Sequence, residues 1–188
     1  MRRLLAGELV DVTSKQVQLE NVQLASPPKV PPPVLVGTTG PRGLAVAGRC
    51  ADGILLPELS CPAAVEWARG EAAAAGSAGQ MVVFAFLNLD GDASAATAVG
   101  PAIERLVRSG GFPHLAELAG IREDDDTPLD AGTVRQMAVV GDADECAASM
   151  RRWEQSGVDT LVLFPRADDP ASQIAQFAAQ VLPRVREG

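Results

Sequence analysis

Short apolar segments that alternate with helical segments restrict the fold of this chain more than any other feature. Each of the four apolar segments is followed by a helical one, and they lie at 34–36, 54–56, 81–87 and 160–164. Strands that are apolar on both faces must be covered on both faces, which predicts an α/β protein with a parallel sheet. A complete (β/α)8 barrel needs about 250 residues, so the four units predict half a barrel or a small open sheet.

Residues typical of helix N-termini begin several of the helical segments. Asp142 and Glu145 fit a capping box, and Pro41 suits a first helical turn that Thr39 or Gly40 would cap. We expect helices over 41–50, 62–76, 93–109, 143–156 and 171–186, with short ones around 115–118 and 133–138.

The N-terminal part of the chain has a different pattern. Apolar and polar residues alternate over residues 8–25 around a Ser-Lys turn, which predicts a β-hairpin. A proline-rich linker at 27–33 follows, and it cannot be helical. We therefore expect a single domain, 1–188, made of this hairpin and of barrel units over 34–188.

Composition and charge exclude several classes of function. The 16 basic and 24 acidic residues give a net charge of −8 without any Lys/Arg-rich run, so neither nucleic acid nor an anionic membrane is expected as a partner. Cys50, Cys61 and Cys146 form no CxxC pair, which favours reduced thiols over disulfides or a zinc site. No apolar stretch reaches the roughly 18 residues of a membrane span. The expected location is the cytoplasm.

The turn after the first apolar strand is the segment with the clearest chemistry. Gly37, Thr38, Thr39 and Gly40 lead into a helix, so free backbone N–H groups, two hydroxyls and a helix dipole would face a bound phosphate. Arg42 would add positive charge, or it points to solvent. The alternative is a tight strand-to-helix turn that merely needs glycine. The segment matches neither the dinucleotide fingerprint nor a P-loop.

Three segments together resemble the luciferase-like monooxygenase superfamily. They are 33–56 (PVLVGTTGPRGLAVAGRCADGILL), 138–163 (beginning AVVGDADE) and the opening LLAGE at 4–8. The resemblance is closest to the branch that uses the deazaflavin coenzyme F(420), which includes methylene-tetrahydromethanopterin reductases. It covers nearly the whole chain.

The resemblance implies a fold, a cofactor and a reaction class. The fold is the C-terminal half of a TIM barrel, and the cofactor is coenzyme F(420) or FMN at the carboxyl ends of its strands. Family members contact the cofactor phosphate through the turn after the fifth strand, which here is Gly37, Thr38, Thr39 and Gly40, with Arg42 beside it. The reaction is hydride transfer or oxygenation of a small-molecule substrate. The family's acid–base residues lie in its first four strands, so no catalytic residue is assigned in this chain.

Other polar and aromatic residues have simpler expected roles. His114 is expected to have a structural role or to face solvent, and Asp52 to bond the local turn and helix end. The acidic run at 123–126 is expected to be a solvated loop without a metal. Trp67 and Trp153 are expected in the core. Six polar residues follow strands and would lie at the mouth of a barrel, where solvation is the expected role of each: Glu58, Ser60, Asn88, Asp90, Arg166 and Asp168.

Three hypotheses follow for the whole chain. It is one part of a luciferase-like oxidoreductase that has been shortened, or a half-barrel that pairs with a second copy to cover its strand edges. In this second hypothesis the homodimer would be a cofactor-binding module without redox activity. The third hypothesis is a structural remnant in which the glycine turn binds nothing.

Overall fold

A computed structural model describes residues 1–91, 94–122, 127–166 and 168–186. The chain divides into two compact units, Met1–Val34 and Leu35–Gly188. The acidic run at 123–126 lies outside the described residues. The expectation of a single domain stays a prediction.

The first unit contains the predicted hairpin. Helix α1 (Arg2–Leu5), which the sequence did not indicate, precedes strands β1 (Val10–Thr13) and β2 (Gln18–Val22). The two strands pair antiparallel. The Ser14 hydroxyl oxygen closes the turn by accepting a hydrogen bond from the backbone N–H of Val17 at 3.0 Å.

The second unit is built on a parallel sheet. Its strands β3 to β5 and β7 match the four predicted apolar segments. The strands are β3 (Leu35–Gly37), β4 (Gly53–Leu56), β5 (Gln80–Leu89), β6 (Ala138–Gly141) and β7 (Thr160–Pro165). All pairings among them are parallel. The four matched strands lie in chain order across the sheet, as in consecutive units of a barrel.

Strand β6 is an addition to this series. Val82 of β5 pairs with Leu55 of β4 on one side and with Thr160 of β7 on the other. Farther along β5, Leu87 pairs with both β6 and β7. Strand β6 therefore lies on the same side of β5 as β4 does, farther along the strand, and β7 lies on the other side of β5. The predicted short helix at 133–138 is wrong at Ala138, which lies in β6, because a four-residue apolar run has no distinctive period.

Eight helices follow β2 among the described residues. They are α2 (Pro41–Cys50), α3 (Pro62–Ala75), α4 (Ser94–Arg108), α5 (Pro113–Leu118), α6 (Ala131–Met137), α7 (Ala143–Gln155), α8 (Pro170–Gln180) and α9 (Leu182–Arg186). The prediction of one continuous helix over 171–186 is wrong, because the chain breaks at Val181. Pro183 has no N–H to donate to the preceding turn, which explains the break.

Two hydrophobic clusters pack against the sheet. The first packs α2, α3, α7 and α8 against alternate residues of β5, including Met81, Val83 and Leu87. Strand alternation turns the side chains of Val82, Phe84 and Phe86 to the other face, which we call the inner face. The second cluster joins α4, α5, α6 and the remaining side of β6. No helix in the described parts of the chain is long and apolar enough to cross a membrane.

Candidate functional site

The glycine turn lies at the carboxyl end of β3. Strand β3 ends at Gly37 and α2 begins at Pro41, so the turn runs directly from strand to helix. The backbone N–H of Thr38 donates to the carbonyl of Leu55 at 3.4 Å, which holds the turn beside β4. The turn is therefore fixed at the edge of the sheet where active sites of parallel barrels lie.

The first turn of α2 offers unpaired backbone donors to this site. Gly40 is the N-cap, and no side chain in the described part of the chain caps the helix. Pro41 has no N–H, so the donors without an intrahelical acceptor include those of Arg42 and Gly43. These N–H groups and the helix dipole together attract an anion.

Neither the backbone conformation nor the packing requires glycine at position 37 or 40. A Cβ atom added to either residue would meet no described atom within 4 Å. Gly40 has φ −117°, an extended conformation that any residue adopts. The missing side chains therefore leave an open approach to the backbone, as phosphate binding by backbone N–H groups requires.

Gly43 is needed for a different reason. A Cβ atom at this position would lie 1.8 Å from Oγ1 of Thr38. The Thr38 side chain thus packs onto the first turn of α2. This contact orders the turn, and it gives Gly43 a structural role that the sequence analysis did not assign.

The turn forms one wall of a cavity of about 340 Å³, within the usual size of a ligand site. Residues 37–40 supply its polar side, and Leu55, Pro57 and Phe112 supply an apolar side. Phe112 comes from the segment before α5, far along the chain, and nothing in the local sequence marked it. The cavity thus combines donors suited to an anion with a surface suited to an apolar group.

Arg42 stands beside this cavity without lining it. Its side chain is exposed. It forms no ion pair with any residue that the structure describes. Its charge is therefore available to an incoming anion.

Several strand-end residues have structural partners. Ser60 is buried, and its hydroxyl donates to the carbonyl of Pro57 at 2.8 Å. Asp90 accepts a hydrogen bond from the Ser94 hydroxyl at 3.1 Å. Glu58 is half-buried, Asp168 is exposed, and neither lines the cavity beside the glycine turn.

Arg166 and Asn88 meet at the carboxyl ends of β5 and β7. The Asn88 amide donates to the carbonyl of Arg166 at 2.6 Å, and the backbone N–H of Arg166 donates to the carbonyl of Leu87 at 2.7 Å. The Gln173 side chain, which the sequence analysis did not single out, bonds both backbone groups of Leu89 at 2.7 and 2.8 Å. This network fixes the ends of both strands.

His114 and the tryptophans belong to the packing of the helices. The His114 ring contacts Trp67 edge-on, with 4.4 Å between ring centroids, and its Nδ1 lies 3.2 Å from Oε2 of Glu117. Trp153 is buried and Trp67 is half-buried. Asp52 is half-buried, and its carbonyl accepts the N–H of Gln80 at 2.9 Å.

The cysteines and carboxylates offer no metal centre in the described residues. No group of three or more His, Cys, Asp or Glu side chains comes together there. Cys50 is exposed, whereas Cys61 and Cys146 are buried. Burial raises the pKa of Cys61, and burial with the nearby carboxylates of Asp142 and Glu145 raises the pKa of Cys146 to about 12.

Solved structures of similar fold include enzymes that use a deazaflavin or FMN. An F(420)-dependent secondary alcohol dehydrogenase, solved with an F(420)-acetone adduct, superposes with a TM-score of 0.76 at 19% identity and covers 98% of this chain and 58% of that chain. The coenzyme F(420)-dependent tetrahydromethanopterin reductase from Methanopyrus kandleri superposes with a TM-score of 0.77 at 19% identity and covers 97% of this chain and 60% of that chain. The oxygenating constituent of 3,6-diketocamphane monooxygenase from Pseudomonas putida, solved with FMN, superposes with a TM-score of 0.59 at 20% identity and covers 95% of this chain and 55% of that chain.

These structural likenesses confirm the predicted fold, half of a TIM barrel with an N-terminal hairpin. The chain spans about three fifths of the length of the first two structures. Among curated proteins, the F(420)-dependent hydroxymycolic acid dehydrogenase of Mycobacterium tuberculosis is 34% identical over 53 residues, which are 28% of this chain and 15% of that protein.

The resemblance found in the sequence is confirmed at the level of the family. The family model described as luciferase-like monooxygenase matches residues 1–160. That range includes the hairpin, the glycine turn and the sheet up to the start of β7. The chain therefore belongs to the luciferase-like monooxygenase family.

Proposed function

We propose that this chain supplies the cofactor-phosphate half of a flavin- or deazaflavin-dependent oxidoreductase. Structures of similar fold include an F(420)-dependent dehydrogenase and a monooxygenase with bound FMN, and the chain has the half of the barrel that carries the glycine turn. The cofactor is coenzyme F(420) or FMN. The pattern of Gly-Pro-Arg at 40–42, Ala-Gly at 47–48 and Ala-Asp-Gly at 51–53 resembles the branch that uses the deazaflavin, and this resemblance favours coenzyme F(420).

The open glycine turn is the observation that carries this proposal. Glycine at positions 37 and 40 is explained neither by φ nor by a neighbouring atom, yet both residues line the cavity. A ligand that approaches the backbone explains both. The cavity also joins this polar turn to an apolar wall, which matches a cofactor with a phosphate at one end and a flat ring system at the other.

The residues of this chain would hold the cofactor and shield it. The N–H groups of Arg42 and Gly43 would bind the phosphate with the Thr39 hydroxyl, and the Arg42 side chain would balance its charge. Leu55 and Phe112 would exclude water beside it. The bound cofactor supplies the hydride transfer or the oxygen chemistry. Its substrate is a small molecule, and we expect the enzyme in the cytoplasm.

A fluorescence titration of the purified chain with coenzyme F(420) and with FMN tests the proposal. We expect saturable binding by the natural chain. Gly40→Glu would place a carboxylate against the phosphate and should weaken binding at least tenfold, which is about 1.4 kcal/mol. The matched control is Gly70→Glu, because a Cβ at Gly70 also meets nothing within 4 Å and Gly70 lies in α3, outside the cavity.

The two glycine variants separate phosphate binding from a general loss of the fold. Equal affinity in the Gly40 and Gly70 variants would contradict the proposed phosphate site. If the natural chain is folded but binds neither cofactor, the chain alone is not a cofactor-binding half. Either the other half of the barrel is then required for binding, or the glycine turn has only a structural role.

A half-barrel homodimer is the second candidate. Strand β3 pairs only with β4 and β7 only with β5 in the described structure, so each has one free edge. Phe164, on the inner face, is 40% exposed although it is a large apolar residue. A two-fold axis along the strands would bring β7 of one copy beside β3 of the other in parallel. Two copies would then close eight strands around one core and act as a cofactor-binding module.

A further inference from the structure

We propose that Arg166 binds an anionic group at the carboxyl end of β7, and that its ligand is a small molecule with a carboxylate or phosphate next to an apolar body. This inference rests on the proposed function, because it assumes that ligands bind at the carboxyl ends of the strands. It names a second anchor there, distinct from the glycine turn.

The backbone of Arg166 is held from two sides. Its N–H donates to the carbonyl of Leu87 at 2.7 Å, and its carbonyl accepts from the amide of Asn88 at 2.6 Å. Asn88 is itself 94% buried, since only 6% of its surface is exposed. Arg166 therefore projects from a fixed point of the sheet, and binding an anion there costs little backbone ordering.

The guanidinium lies over the inner face of the sheet. Its central carbon is 5.8 Å from the centroid of the Phe86 ring, within cation–π distance. It forms no ion pair with any described residue. A cation that rests on a ring keeps its planar N–H edge free, and that edge can bind a carboxylate or phosphate with two parallel hydrogen bonds.

Apolar surface adjoins this cation. The rings of Phe84 and Phe164 meet edge-on with 5.3 Å between centroids, and the register Phe86↔Phe164 places both beside Phe86. Phe164 is 40% exposed. A charged head group at Arg166 would therefore lie next to aromatic carbon, which indicates an amphipathic anion as the ligand.

The register of the sheet separates Arg166 from the glycine turn. Gly37 pairs with Leu55, Leu55 with Val82, and Val82 with Thr160. Three strand spacings are roughly 14 Å, and the six residues from Thr160 to Arg166 add roughly 20 Å along the strand. One phosphate cannot contact both places. The anion at Arg166 is thus the head group of a substrate or an anionic group at the far end of the cofactor.

Calorimetric titration of the full chain tests this inference. The probes are 3-phenylpropanoate and its neutral analogue 3-phenylpropanamide, which differ in the carboxylate. We expect the propanoate to bind more tightly than the amide, and Arg166→Gln to lower its affinity about tenfold or more. Arg49→Gln is the control, because Arg49 is an exposed arginine in α2 that lines neither place.

Coenzyme F(420) and FMN, titrated on the same variants, identify the source of the anion. Loss of F(420) affinity in Arg166→Gln, with FMN affinity kept, would assign the anion to the cofactor. Unchanged affinity for both cofactors, with propanoate binding lost, would assign it to a substrate. Either result supports the anion site.

The inference is overturned if the two arginine variants bind coenzyme F(420) equally and the natural chain either shows no saturable binding of 3-phenylpropanoate or binds it no more tightly than Arg166→Gln does. A failure of the proposed function is recognised by a different measurement: Gly40→Glu would then leave the FMN affinity unchanged. The far-ultraviolet circular dichroism of Arg166→Gln should match the natural chain, since the hydrogen bonds at Arg166 use its backbone.

Discussion

At the scale of single residues, glycines in this protein differ in whether neighbouring atoms leave room for a side chain, and cysteines differ in whether they are buried. Gly43 is required by Thr38, whereas Gly37 and Gly40 face open space. Cys50 is exposed and the other two thiols are buried. These differences were not visible in the sequence, because a residue's neighbours come from distant segments.

The thiols give a prediction with a defined pH window. Burial favours the neutral thiol, so the folded-state pKa of Cys146, about 12, lies above the unfolded value of about 8.5. This contribution to stability is complete below about pH 8.5 and is lost as pH rises through the folded pKa. At about pH 8, we expect Ellman's reagent to modify Cys50 rapidly and the other two only after denaturation. Rapid modification of all three in the folded chain would contradict the burial.

At the scale of helices and strands, segments with a strong period or cap are predictable from sequence. Helix α2 at 41–50 and the capping box of α7 are examples, and in the latter the Asp142 side chain accepts from the N–H of Glu145 at 2.8 Å. Helix α1 and strand β6 are too short to have a distinctive pattern. The local sequence predicts the glycine turn at a strand-to-helix junction, whereas the position of Phe112 beside it depends on tertiary packing.

The packing of α2 on α3 gives an element-scale prediction. A Cβ atom at Gly48 of α2 would lie 2.1 Å from the carbonyl oxygen of Ala72 in α3. Gly48→Ala should therefore destabilise the chain by about 1–3 kcal/mol despite better helix propensity. Gly70→Ala, where the added carbon meets nothing, should stabilise it by about 0.5–1 kcal/mol. Urea unfolding of both variants checks this, and equal stabilities would contradict the close helix contact.

At the scale of the whole molecule, β3 and β7 each have one edge without a strand partner in the described structure, and Phe164 is exposed on the inner face. Exposed edges and apolar surface favour association. If a second copy covers them, sedimentation equilibrium should give twice 19.5 kDa, and Phe164→Asp should shift the chain toward monomer. A monomeric natural chain at all concentrations would rule out the homodimer. It would leave two hypotheses, one part of a luciferase-like oxidoreductase and a structural remnant.

Amide NMR shifts of the ¹⁵N-labelled chain with FMN and with riboflavin test the central claim most directly. Riboflavin lacks only the phosphate, so the comparison isolates the group that the glycine turn is proposed to bind. The account predicts that FMN shifts the N–H signals of Gly40, Arg42 and Gly43, and that riboflavin leaves these three signals in place. Equal shifts with both ligands, or no shift at these residues on saturation with FMN, would contradict it.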